Sequence, residues 1–145
     1  MWEVREERNM YKVERAIIMA AGLGNRMHPV TLTTPKPLVR VNGIRMIDTV
    51  IAGLHQNGIR EIYVVVGFLK ERYEYLIDEF GVELIVNPDY AGKNNLYSLK
   101  LALPHLANAY VVPCDIWCRS NPFRKRELYS WYMVNDAVDL SLIHI

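Results

Sequence analysis

Ile17-Ile18-Met19-Ala20-Ala21-Gly22-Leu23-Gly24-Asn25-Arg26-Met27, followed eight residues later by Pro35-Lys36-Pro37-Leu38-Val39, decides how this 145-residue chain reads. The continuous apolar run Ala16 to Ala20 predicts a strand buried on both faces. It empties into a turn carrying Gly22 and Gly24, where missing side chains let backbone N–H groups approach an anion closely. Arg26 adds a guanidinium fork, and Lys36 a second cation on backbone stiffened by a proline on either side. Backbone donors and two cations can therefore converge on one polyanion. A tight strand exit with a solvent-facing arginine is the plainer reading of Gly-x-Gly alone; the proline-flanked lysine weighs against it.

Two familiar phosphate motifs fail here. A dinucleotide fingerprint starting at Gly22 requires a third glycine where Met27 stands, and a clean helix behind it. A P-loop requires four residues between its glycines and then Gly-Lys-Ser/Thr, which is absent. What remains is Gly-x-Gly-x-Arg with a distant lysine, the equipment of a nucleoside triphosphate site.

Outward from this stretch, short β-rich runs alternate with amphipathic ones. Met46 to Gln56 places Met46, Ile47, Val50, Ile51 and Leu54 at helical spacing, stopped by Asn57-Gly58. Glu61 to Val66 reads as the second strand, and Lys70 to Phe80 as a charged helix ended at Gly81. Val82 to Val86 is a third strand closed by Asn87-Pro88, Leu96 to Leu103 a short helix, and Tyr110 to Val112 a fourth strand running into Pro113-Cys114-Asp115. The alternation predicts an α/β domain with a mostly parallel sheet and helices on both faces. In such sheets ligands sit beyond the carboxyl ends of the strands. The glycine turn, Asn87 and Asp115 all fall on that rim.

Bulk properties exclude several classes. A net charge of +1 with acids and bases interspersed leaves no nucleic-acid footprint and no membrane-surface patch. No apolar run reaches the ~20 residues a spanning helix needs, and the charged start Met1 to Arg15 has no signal-type core behind it, so the expected location is cytoplasmic. Cys114 and Cys118 read as ordinary reduced thiols. Small-molecule substrates are the expected partners; the sequence says nothing of oligomeric state.

Ala-Ala-Gly-Leu-Gly-Asn-Arg-Met with Thr-Pro-Lys-Pro-Leu-Val resembles the signature of the nucleotidyltransferases that make nucleotide sugars and related activated compounds. Val86-Asn87-Pro88-Asp89-Tyr90 with Asn94-Asn95-Leu96-Tyr97-Ser98-Leu99 is most similar to the bacterial choline-phosphate cytidylyltransferases. The similarity runs from about Ala16 to about Asp136. It implies a three-layer, Rossmann-like (GT-A-like) fold, incomplete at the C-terminus, and transfer of CMP from CTP to phosphocholine. By the same resemblance, backbone at Ala20, Ala21 and Gly22 meets base and ribose. Gly24, Asn25, Arg26 and Lys36 hold the triphosphate, with Arg26 and Lys36 carrying the catalysis, and Asp115 holds Mg2+. The chemistry suits such a set: attack of one anion on another gains from positioning and charge neutralisation, and requires no protein nucleophile. Alternatives are a sugar-1-phosphate nucleotidylyltransferase using UTP, dTTP or GTP and, in another class, a nucleotide-binding module without turnover.

Other residues divide between two roles. Asn87 reads equally as a contact to the pyrimidine edge or as a turn starter. Asn95 is a candidate nucleotide contact, while it or Asn94 serves as well for the N-cap of the following helix. Asp115 taken alone would be a turn residue after a strand, and His28 an exposed loop residue. Trp117, Tyr129, Trp131 and Tyr132 suit either an aromatic cage for a quaternary ammonium or, preferably, packing on a strand near the chain end.

The expected organisation is a charged extension over residues 1–14, a nucleotide-binding domain fragment over 15–139, and a terminal hexapeptide at 140–145. The last, Leu140-Ser141-Leu142-Ile143-His144-Ile145, resembles the translation of a DNA-library adapter and is left out of fold reasoning. Members of the resembled family run well beyond this point, so the truncated chain by itself is expected to be inactive.

Overall fold

The computed structural model describes residues 10–24 and 28–132. In chain order the elements are β1 (Tyr11–Lys12), β2 (Arg15–Ala20), β3 (Arg40–Val41), β4 (Ile44–Arg45), α1 (Met46–Gln56), β5 (Glu61–Val66), α2 (Tyr75–Phe80), β6 (Glu83–Val86), α3 (Asn95–Leu101), β7 (Ala109–Pro113) and β8 (Arg126–Glu127). A four-stranded sheet in the order β6-β5-β2-β7 forms the middle layer, and every pairing in it is parallel.

The alternation of side chains explains the layers. Ala16, Ile18 and Ala20 of β2, with Ile62, Val64 and Val66 of β5, pack on Ile47, Val50, Ile51 and Leu54 of α1 and on Leu76 of α2. Ile17 of β2, with Tyr63 and Val65 of β5, points the other way onto Ala102 at the end of α3. Strands buried on both faces must be apolar at successive positions, which is why Ala16 to Ala20 carries no polar residue. The predicted α/β architecture is present, and α1 and β5 have the predicted bounds.

Some local predictions change. The stretch read as one helix over Lys70 to Phe80 is a 3-10 turn, Lys70–Tyr73, followed by the short α2. Leu69 precedes it in the left-handed region at φ 51, so no α-helical run enters from β5, and fully buried Tyr73 pulls the first turn onto the sheet. Gly81 at φ 67 closes α2 as expected of a glycine cap. The helix read over Leu96 to Leu103 ends at Leu101, and Pro104 sits inside a 3-10 turn, Leu103–His105, where its missing N–H costs nothing. Asn42 and Gly43, both at positive φ, join β3 to β4 as a tight hairpin. Within the charged extension, Tyr11 and Lys12 pair antiparallel with Glu127 and Arg126, and Val13 is buried, so this part is joined to the domain. The hexapeptide at 140–145 lies outside the described residues.

Topology locates the functional edge. From β2 the chain crosses to β5 and on to β6, then returns past β2 to β7, so the order reverses between β2 and β7. The helix that follows β2 packs on one face of the sheet and the end of the helix that precedes β7 on the other, and the carboxyl ends of the strands at such a reversal are the usual ligand position in open α/β sheets.

Candidate active site

Register brings the strand ends level. Ala20 pairs with Val66, Val66 with Val86, and Met19 with Pro113, so the residues that follow share one edge. Ala20 and Ala21 are buried at the end of β2, and the Ala20 carbonyl accepts a hydrogen bond from the buried Tyr73 hydroxyl at 3.3 Å. The glycine turn starts from a fixed point.

Its two glycines differ. A Cβ on Gly22 would meet no heavy atom within 4 Å, and its φ lies outside the positive region, so the described residues give no internal reason for a glycine there. Gly24 has φ +68, and a Cβ on it would come within 3.1 Å of Thr31 Cγ2 and 3.4 Å of Lys36 Cβ. Both its conformation and its neighbours demand glycine. Asn25 and Arg26 lie outside the described residues.

Lys36 opens a 3-10 turn, Lys36–Leu38. Pro35, Pro37 and Leu38 are buried around it, leaving the lysine as the member of the Pro-Lys-Pro-Leu run that turns outward. Its Nζ donates to Asp115 Oδ2 at 3.0 Å, across 79 positions of sequence. The two side chains are 28% and 37% exposed, so the pair is partly solvated and contributes only about 0–1 kcal/mol to the fold. Both groups are open to an incoming ligand. Next to Asp115, burial and then that carboxylate push the half-buried Cys114 thiol up to about 12, so it stays protonated at neutral pH. Cys114 and Cys118 are both free.

On the far side of the rim the polar groups are already engaged. Asn87 is 1% exposed, donates through Nδ2 to Ser98 Oγ at 2.9 Å and accepts the Asp89 amide on Oδ1 at 2.9 Å. Its own amide donates to the Val66 carbonyl at 2.8 Å. Asn94, not Asn95, is the N-cap of α3, accepting from the amides of Leu96 and Tyr97. Asn95 is exposed beside it. Trp131 meets Tyr110 of β7 edge-on at 6.0 Å, while Tyr129 and Tyr132 are exposed and Trp117 is half-buried. His28 is exposed.

Sequence reasoning singled out neither Thr31 nor Ser98, which are buried and hydrogen-bonded to Gly24 and Asn87. It also missed that Gly67, at the end of β5, packs directly on Tyr90, where a Cβ would fall 2.5 Å from the tyrosine Cβ. A glycine directly after a β-branched strand was the available signal for that close approach. Lys36 and Asp115 were read singly, as phosphate and metal ligands; the structure joins them. No cluster of three or more His, Cys, Asp or Glu side chains suited to a metal exists among the described residues.

A glycine turn, a lysine and a carboxylate at the switch point of a doubly wound sheet define a nucleotide-binding α/β domain of the nucleotidyltransferase kind. The chain belongs to the MobA-like NTP transferase domain family, whose model matches residues 16–127. A choline-phosphate cytidylyltransferase from Streptococcus pneumoniae is 46% identical over 118 residues, 81% of this chain and 52% of that protein. A 2-aminoethylphosphonate cytidylyltransferase from Lancefieldella rimae is 50% identical over 101 residues, 69% of this chain and 41% of that protein. The solved structure of the CTP:phosphocholine cytidylyltransferase of Streptococcus pneumoniae is similar at a TM-score of 0.76 and 47% identity, covering 77% of this chain and 49% of that one. The chain thus spans about half the length of these relatives.

Proposed function

We propose that this chain is the nucleotide-binding half of a CTP-dependent cytidylyltransferase that joins CMP to phosphocholine, giving CDP-choline and pyrophosphate. One observation carries the reading. A match of 118 residues cannot be laid on a 145-residue chain without including Lys36 and Asp115, so the likeness to choline-phosphate cytidylyltransferase takes in the charged pair at the switch point.

In this reading the backbone from Ala20 to Gly22 receives base and ribose, and the space that the described residues leave around Gly22 is the room a ligand fills. Gly24, Asn25, Arg26 and Lys36 take the triphosphate. Arg26 and Lys36 neutralise the charge that grows on the departing pyrophosphate, which is where fixed cations accelerate phosphoryl chemistry most. Asn95 presents an exposed amide at the base end, and Asn87 sets the loop beneath it. Asp115 is the group fitted to hold Mg2+. Its Oδ2 faces Lys36, its Oδ1 accepts no hydrogen bond from the described residues, and one carboxylate plus substrate phosphates is an ordinary magnesium environment. When bound, the metal supplies Lewis-acid polarisation of the phosphoryl oxygens. Lys36 exchanges partners in this scheme, leaving Asp115 for the phosphates as the nucleotide enters. The reaction takes place in the cytoplasm, and the acceptor pocket belongs to a C-terminal half like that of the relatives, without which the chain does not turn over.

A second acceptor is favoured by a specific observation, the 50% identity to a 2-aminoethylphosphonate enzyme. Phosphocholine and 2-aminoethylphosphonate share a phosphorus oxyanion and a cationic nitrogen on a two-carbon spacer, and differ in that the quaternary ammonium suits aromatic faces while the primary ammonium requires hydrogen-bond acceptors. Pyrophosphate release by the full-length protein, across CTP, UTP, dTTP and GTP with phosphocholine, 2-aminoethylphosphonate and sugar phosphates, separates them. Turnover of CTP with phosphocholine is expected. Turnover restricted to a sugar phosphate with another nucleotide would overturn the reading.

A further inference from the structure

We propose that Thr31 is a positioning residue for the triphosphate: its hydroxyl holds the Gly24 carbonyl away from the site and so fixes the aim of the glycine turn. Thr31 lies in a 3-10 turn, Val30–Leu32, whose burial pattern is inverted. Val30 and Leu32 are 54% and 57% exposed, while the polar Thr31 between them is 0% exposed. Hydrophobic burial would have chosen the other two. What is buried instead is a hydroxyl, and burying one costs free energy unless it is hydrogen-bonded. Its partner is the Gly24 carbonyl, at 2.6 Å.

The consequence falls on the turn. Gly24 has φ +68, in the left-handed region where a glycine peptide is free to reorient. A carbonyl swung toward a polyanion would set a partial negative charge against phosphate oxygens, whereas one tied to Thr31 leaves the turn's donor side for the ligand. The same threonine touches the space beside Gly24 that Lys36 Cβ also borders, so turn, threonine and lysine form one packed unit. Thr31 touches no substrate in this scheme; it acts through Gly24 and Lys36.

This inference rests on the triphosphate reading of the glycine turn. It is tested by titrating the purified full-length protein calorimetrically with CTP and with CMP, for wild type, Thr31→Val and Thr31→Ser. Valine fills the same volume without the hydroxyl, and serine restores the hydroxyl. Thr31→Val is expected to bind CTP about tenfold more weakly, with CMP changed less than about twofold, and Thr31→Ser to recover most of the CTP affinity. A Thr31→Val chain that binds CTP like wild type overturns the role of Thr31 alone. Equal loss of CTP and CMP, or no recovery with serine, overturns it too by showing general damage. A wild-type full-length protein that binds no CTP overturns the triphosphate reading and this role with it.

Discussion

The two halves of the sheet rim handle polar groups in opposite ways. At the β2–β7 side, Lys36 and Asp115 stand partly in solvent with one hydrogen bond between them. At the β6 side, Asn87 and Ser98 are buried and bonded to each other and to the backbone. The first arrangement stabilises the fold little and leaves charge available to a ligand. The second is costly to disturb and has little left to offer one. Saturation of hydrogen bonds, more than residue type, separates the part of this rim proposed to react from its support.

The sharpest way to break that comparison is to remove the charges. Lys36→Ala and Asp115→Ala are each expected to lower kcat/KM of the full-length protein by about two to three orders of magnitude, from lost charge neutralisation and metal binding. Unfolding free energies of the same variants, from urea titration, should change by no more than about 1 kcal/mol. A large stability loss with rates near wild type would reverse the assignment of the two sides.

Asn87 provides the converse test. Asn87→Ala leaves the Ser98 hydroxyl and the Asp89 amide without their partner and is expected to cost about 1–3 kcal/mol of folding stability by urea unfolding. CTP affinity per folded molecule should change little. A selective loss of preference for CTP over UTP would instead place Asn87 on the base itself.

The same contrast explains what was legible in the sequence. α1 and β5 were readable to the residue because their apolar spacing agrees with the side they bury. The stretch from Lys70 to Phe80 was not, because its charge and helical spacing gave no sign of the left-handed Leu69 or of the inward pull of Tyr73. Lys36 and Asp115 stood out by chemical type and by their places beside prolines and at a strand end. Their pairing was invisible, since the two residues stand 79 positions apart and meet only because β7 returns beside β2. Thr31 was missed for a different reason, and Ser98, quoted only as part of the stretch Asn94 to Leu99, was given no role: a small hydroxyl shows what it holds only through its burial.

Gly22 sharpens the comparison at smaller magnitude. Because a Cβ there meets nothing among the described residues and φ is not positive, Gly22→Ala should leave stability unchanged or raise it by about 0.4–1 kcal/mol through the unfolded chain. CTP affinity should fall in the same variant, since the methyl group occupies the ligand's room. Stability and binding moving in opposite directions at one residue would mark a site glycine; a fall in both would make it a structural one.

The smallest effect comes from a group remote from either side of the rim. His55, in the last turn of α1, has its ring 6.2 Å from Phe80 and a buried Nε2 with no hydrogen-bond partner among the described residues. Burial first, and the nearby Arg60 second, hold its pKa below the ordinary 6.5. The unfolded chain therefore takes up a proton near pH 6.5 that the folded chain resists, so the unfolded state binds more protons in the window below that value and stability falls as pH falls. Above about pH 7 both states are neutral at this position and the contribution is flat. Urea midpoints followed from about pH 8 to about pH 5 should show this decline, and His55→Gln, which does not titrate, should flatten the part of it that His55 causes. An unchanged slope in the variant would assign the decline to other groups, whereas a flattened one would show that an unsatisfied nitrogen far from the site makes the helix behind the sheet sensitive to acid.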